Sequence, residues 1–163
     1  MIASMKNVSV TFGKDVVLSD VSLDVEPRSV VAVVGGDGAG KSTLLRALVR
    51  EISVDSGTVT SPEKHDLGFL PDGPGSWAAL SVRQNLDFVG GTYGLTGEAL
   101  KSRRDDLIER AGLAHAADRL AGNLSGGMRR KLGVAMAMLH RPKLIVLDEP
   151  TTGVDPVRRI DLW

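Results

Sequence analysis

Val30-Val31-Ala32-Val33-Val34-Gly35-Gly36-Asp37-Gly38-Ala39-Gly40-Lys41-Ser42-Thr43-Leu44-Leu45 is the stretch whose reading decides the fold. Its first five residues are apolar and mostly β-branched, the composition of a strand buried on both faces. Gly35 to Ser42 then fit G-x-x-x-x-G-K-[ST], a loop in which missing Cβ atoms let backbone N–H groups close around phosphate oxygens. Beyond it, residues 42–51 carry Leu44, Leu45 and Leu48 at helical spacing. A chance glycine turn is the competing reading. Strand, glycine loop and helix in that order weigh against it, because they aim the loop at a helix N-terminus, where anions are favoured.

Two further segments fall downstream in a fixed order. Leu144-Ile145-Val146-Leu147-Asp148-Glu149-Pro150 reads as a second fully buried strand that ends in two carboxylates. A carboxylate at the end of an apolar strand is costly without a partner, and such a pair suits a divalent cation and a water. The plain alternative is a solvated acidic pair after a strand. About twenty residues upstream stands Leu124-Ser125-Gly126-Gly127, which alone would be an ordinary helix N-cap. Taken together the three motifs resemble the nucleotide-binding domain of ATP-binding cassette (ABC) transporters, and the resemblance covers essentially the whole chain. The resemblance implies an α/β fold: a P-loop NTPase (RecA-like) core, an N-terminal antiparallel β subdomain and an α-helical insert. The core part would hold about 1–71 and 140–163, and the insert about 76–138, in one domain of 163 residues.

The resemblance also implies roles. Gly35, Gly38, Ala39, Gly40, Lys41, Ser42 and Thr43 would hold the phosphates of ATP, with Lys41 reaching the β- and γ-phosphates. Ser42 and Asp148 would hold Mg²⁺, and Glu149 would act as general base on the attacking water. Ser125, Gly126 and Gly127 would face the nucleotide of a second nucleotide-binding domain in a head-to-tail dimer. Phe12 would stack on adenine, against the alternative of a strand-end core aromatic. Asp155 would lie in the loop that crosses the dimer interface, against a plain helix-start role before Pro156. Asp72 stands where most relatives have Gln; a carboxylate can still bind the metal but cannot donate a hydrogen bond, and its turn Pro71-Asp72-Gly73-Pro74-Gly75 gives a purely structural alternative. Gly36 and Asp37 replace the commoner Pro-Asn of the phosphate loop.

The rest of the chain fits this layout. Residues 5–11 and 16–26 alternate apolar and polar around Gly13-Lys14-Asp15 and read as a hairpin. Residues 57–60 and 67–70 read as strands. Ser81, Thr96 and Ser125 are placed to cap three helices, the last carrying Leu132, Ala135, Met136 and Leu139. Met128, Met136 and Met138 read as packing, Arg103, Arg104, Arg129 and Arg130 as solvated helix faces, and Trp77 as either a buried insert residue or one facing a permease. His65, His115 and His140 have no ligand spacing.

Composition sets outer bounds. Basic and acidic residues balance at 20 each, so no nucleic-acid partner is expected. There are no cysteines, hence no disulfide or thiolate metal site. The apolar runs at 30–34 and 132–139 fall far short of the roughly 20 residues of a spanning helix. If a membrane is involved, another polypeptide spans it; the resemblance implies transmembrane permease subunits, with this chain cytoplasmic and peripheral on the inner face. Tyr93-Gly94-Leu95 and the signature variant with Met128, Arg129 and Arg130 most resemble bacterial drug-resistance exporters. In the family a further core strand, ending in a histidine that contacts the γ-phosphate, follows the helix expected at Pro156. The chain ends at Trp163, so the expectation is a C-terminally truncated domain, inactive in isolation. A non-catalytic nucleotide-binding remnant and a soluble ABC ATPase outside transport are the alternatives. The latter is disfavoured because only 83 residues, without heptads or cysteines, separate Lys41 from Ser125.

Overall fold

The computed structural model describes residues 1–73 and 75–150, so Asp155 and the helix expected at Pro156 lie outside the described residues. The chain forms two compact units, Met1–Leu67 and the residues from Gly68 onward.

In the first unit the expected hairpin is present. Strands β1 (Ala3–Phe12) and β2 (Asp15–Val25) pair antiparallel, and β3 (Ser56–Thr60) adds to the other edge of β1, giving the order β2-β1-β3. Alternation puts Ala3, Met5, Val8 and Val10 inside, where they meet Leu44, Ala47 and Leu48 of helix α1 (Lys41–Leu48). The β1–β2 register slips between Met5 and Val8. Asn7 and Asp20 there adopt left-handed backbone angles (φ 51° and 53°), and the Asn7 side chain donates to the Asp20 carboxylate at 2.8 Å. Ser22 Oγ and Ser9 Oγ accept from the Asn7 and Asp20 amides, so side chains replace the ladder bonds that the bulge removes.

The segment 30–34 departs from expectation. It is not a strand, and Val30 and Val34 are 92% and 91% exposed. Among the described residues no strand is hydrogen-bonded to it. β-branched residues favour a pleated, half-buried surface rather than an extended backbone as such, and without a neighbour the preference has nothing to act on.

The second unit joins a short two-stranded sheet to a helical bundle. β4 (Leu67–Leu70) pairs with β5 (Leu144–Leu147). β5 is less enclosed than its sequence suggests: Val146 is buried, but Ile145 is 38% exposed. Helices α2 (Val82–Thr92), α3 (Gly97–Arg110) and α4 (Gly126–Met138) enclose Val82, Leu86, Leu107, Ile108, Leu132 and Leu139. Met136 is buried and Met128 and Met138 pack against this core, as their spacing implies. β4 lies so close to α4 that a Cβ on Gly68 would collide with the Ala137 carbonyl, and one on Gly133 would come 2.8 Å from Leu70 Cδ1. Glycine at both positions permits the approach.

Ser81 caps α2 within a full capping box, its hydroxyl accepting from the Gln84 amide at 3.1 Å while the Gln84 side chain accepts from the Ser81 amide at 2.9 Å. Thr96 occupies the N-cap of α3 without a side-chain hydrogen bond. Arg103 and Arg104 of α3 are not a solvated face. Arg104 donates to both oxygens of Asp87 at 2.8 and 3.0 Å and to Asp105 at 2.9 Å, bracing α3 against α2. Arg103 donates to the Met138 and Leu139 carbonyls at the end of α4, the first of which also accepts from the Arg141 amide.

Asn85 is the buried polar centre of this unit. Its side chain is fully buried, accepts from the Trp77 amide at 2.8 Å, and donates to the Trp77, Leu80 and Ser81 carbonyls at 2.9–3.1 Å. It thereby fixes the chain entering α2. Asn85→Leu matches the volume but strands these groups, each at a cost of about 1–3 kcal/mol. Thermal melting of that variant is expected to drop by several degrees, and an unchanged midpoint would show that the network contributes nothing.

Candidate functional site

In the first unit the glycine loop is shaped by its own lysine. Lys41 Nζ donates to the Gly35 and Gly36 carbonyls, both at 3.0 Å, so the ammonium is held across the mouth of the loop. Gly38 and Gly40 take φ of +77° and +85°, values that side-chain-bearing residues rarely adopt. Gly40 is the N-cap of α1, and its missing Cβ leaves room for the Val17 carbonyl, which would lie 3.0 Å from it. No acidic side chain stands in the first turn of α1, and no side chain caps it. The amides there, with Ser42 and Thr43 half-buried in the first turn, present partial positive charge to an anion. Gly35, Asp37 and Ala39 lie exposed on the loop, and the Ala39 amide donates to Gly36 O at 3.3 Å. Gly40 lies against Val17 and Leu18 of the hairpin, near the turn where Phe12 pairs with Asp15. Phe12 is 53% exposed, so the core-aromatic reading does not hold.

In the second unit Asp148 follows β5. It is 1% exposed, and its amide donates to Leu70 O at 2.9 Å. Its Oδ2 is buried with no hydrogen-bond partner among the described residues, as suits a carboxylate that takes a cation or a bound water. Glu149, half-buried, adopts φ +51°, left-handed backbone that a β-carbon makes costly. Asp72 is exposed in the turn after β4.

Arg130 connects these pieces, and its treatment as a solvated residue is corrected. It is 4% exposed. One terminal nitrogen donates to Pro71 O at 3.1 Å and Gly73 O at 2.7 Å, and the other donates to the Asp148 carbonyl. Burial lowers its pKa, opposed by the attraction of Asp72, Asp148 and Glu149. A sequence signal was available: α4 is apolar or small almost all round from Leu132 to Met138, leaving little solvated face for a charge one turn earlier. At the start of the same helix Ser125 Oγ accepts from the Met128 amide at 3.3 Å, a genuine N-cap. Ser125 and Gly126 are exposed and Gly127 half-buried, with no acid in the first turn. Trp77 is 47% exposed and meets Phe88 edge-on at 4.6 Å, so it is not a buried insert residue.

The first unit thus carries a glycine loop bridged by its lysine, and the second a buried carboxylate and an open serine-capped helix. The comparisons agree. The ABC transporter family matches residues 18–152. A probable multidrug ABC transporter ATP-binding protein of Escherichia coli is 42% identical over a region covering 82% of this chain and 25% of that protein. The Nod factor export ATP-binding protein I of Cupriavidus metallidurans is 36% identical, covering 99% of this chain and 57% of its own. A solved ATP-binding subunit of an ABC transporter superposes with a TM-score of 0.87 over 99% of this chain and 72% of that one, at 24% identity, a likeness of fold. The chain belongs to the ABC transporter family. It spans less than two thirds of the length of these curated relatives. No helix among the described residues is long and apolar enough to cross a membrane.

Proposed function

We propose that the protein binds ATP with Mg²⁺ and hydrolyses it as the ATP-binding subunit of an ABC exporter. The observation that carries this reading is the buried Asp148 carboxylate, one oxygen unpartnered, immediately before Glu149. Lys41 and the amides of residues 38–42 take the phosphates, and Phe12 stacks on the adenine. Ser42 and Asp148 hold the cation, with Asp72 as a further contact. Mg²⁺, when bound, neutralises charge that develops on the transferred phosphoryl group. Glu149 orients the attacking water and accepts its proton. Ser125, Gly126 and Gly127 serve the nucleotide of a second copy, head to tail, whose γ-phosphate meets the N-terminal dipole of the serine-capped helix. Asp155 belongs to the crossing loop of that dimer. The names of the two relatives, multidrug and Nod factor export, support export. Transmembrane permease subunits complete the transporter, with this chain peripheral on the cytoplasmic face of the membrane.

Turnover measured with Mg²⁺, with Mn²⁺ and with chelator tests the reading; hydrolysis that survives chelation would defeat it. Asp72→Gln is expected to leave ATP affinity within a few-fold, because Lys41, Ser42 and Asp148 remain, while shifting the Mg²⁺ and Mn²⁺ concentrations that support half-maximal turnover. Metal titrations that overlay wild type would reduce Asp72 to a turn residue.

A further inference from the structure

We infer that Arg130 is a positioning residue for the acidic groups of this site, holding the turn of Asp72 and the peptide between Asp148 and Glu149 in one frame. The inference rests on Glu149 being the general base. A guanidinium 4% exposed needs partners, and an acidic side chain would be the usual one. Here its hydrogen bonds go to three backbone carbonyls instead. Their places are specific. Pro71 O belongs to the peptide that enters Asp72, and Gly73 O lies one peptide beyond the one that leaves it, so a single nitrogen ties the chain on either side of Asp72. The third acceptor, Asp148 O, belongs to the peptide bond whose nitrogen is that of Glu149. Rotation of that peptide changes where the Glu149 carboxylate points.

The restraint has something to oppose. Glu149 is held at φ +51°, where a side-chain-bearing residue is strained, and strain of this kind persists only when the surroundings over-determine it. The donor from Arg130 acts on the peptide immediately before the strained residue. The sequence at this turn runs Pro71-Asp72-Gly73, with Gly73 at φ +115°. A planar fork with divergent donors reaches two chain segments at once, whereas a lysine offers three donors from one point. Arg130 is also five residues beyond the helix cap Ser125, so the helix that presents the serine to a second nucleotide carries the restraint on the carboxylates.

The experiment is single-turnover hydrolysis in excess protein with Mg²⁺, for wild type, Arg130→Met, Arg130→Lys and Glu149→Gln, normalised to ATP-binding sites counted by calorimetry. That normalisation removes any loss of folded protein. Misplacement of a reacting group by about 1 Å can cost on the order of a hundredfold. Arg130→Met is accordingly expected to lose at least about tenfold in rate per site at saturating ATP, with half-saturation changed less than about threefold. Arg130→Lys should fall between methionine and wild type. A wild-type rate per site in Arg130→Met overturns the inference, as does a loss confined to half-saturation, or a lysine variant no faster than methionine. Glu149→Gln separates the two claims. If it is silent while Arg130→Met hydrolyses normally, only the present inference fails; if it hydrolyses normally, the general-base reading beneath it fails.

Discussion

Glu149→Gln is expected to abolish steady-state ATP turnover, by about 10²–10⁴-fold, the usual contribution of a positioned general base, while ATP affinity stays within a few-fold of wild type. Glutamine keeps the shape and the hydrogen-bonding reach of the side chain but cannot take a proton at neutral pH. The left-handed backbone at this residue and the donor from Arg130 to the preceding carbonyl are untouched by the change. Binding is expected to survive because Lys41 and Asp148 retain their charges and Ser42 its hydroxyl. A second consequence follows from the shared-site proposal. With hydrolysis blocked, ATP should remain between two copies and hold them together, so size-exclusion in Mg-ATP should shift toward the dimer in Glu149→Gln and not in wild type. A variant that turns over ATP at more than a tenth of the wild-type rate would remove Glu149 from the chemistry. One that is inactive but monomeric in ATP would leave the base in place and remove the shared site.

The sequence reading succeeded where a feature is encoded locally. The hairpin follows from alternation around Gly13-Lys14-Asp15, and Ser81 and Ser125 cap helices because a hydroxyl at that position meets the amide three residues on. The glycine loop is likewise local: its positive φ angles and the reach of Lys41 back to Gly35 and Gly36 involve a handful of consecutive residues. It failed where a residue's surroundings come from distant chain. Thr96 has the cap identity without the cap bond. The valines of 30–34 have strand composition, but a strand exists only with a hydrogen-bonded neighbour. Arg103, Arg104 and Arg130 look alike in sequence, yet one closes a helix end, one braces two helices and one is sealed among three carbonyls. Charge at a helical position predicts solvent exposure on average, and it yields wherever unsatisfied acceptors converge on the same point.

Lys41→Ala is expected to weaken ATP binding by about a hundredfold or more, through two losses that the structure separates. The first is electrostatic. The ammonium would meet the β- and γ-phosphates, and charge-assisted hydrogen bonds contribute about 1.5–3 kcal/mol each. Two of them correspond to roughly 10²–10⁴ in affinity, since about 1.4 kcal/mol is tenfold. The second is conformational. Lys41 Nζ donates to the carbonyls of Gly35 and Gly36 at 3.0 Å, so the side chain braces the loop whose amides are to bind phosphate. Two of the loop's glycines, Gly36 and Gly38, face open space among the described residues. Alanine would release them to sample other conformations before each binding event. Lys41→Arg tells the two losses apart. Arginine keeps the charge but places a wider planar group where a compact ammonium fits between two carbonyls. If charge dominates, Lys41→Arg recovers most of the affinity; if bracing dominates, it stays close to Lys41→Ala. Calorimetric titration of ATP into both variants reads the difference, and ATP affinity unchanged in Lys41→Ala would remove the phosphate-loop assignment on which the site is built.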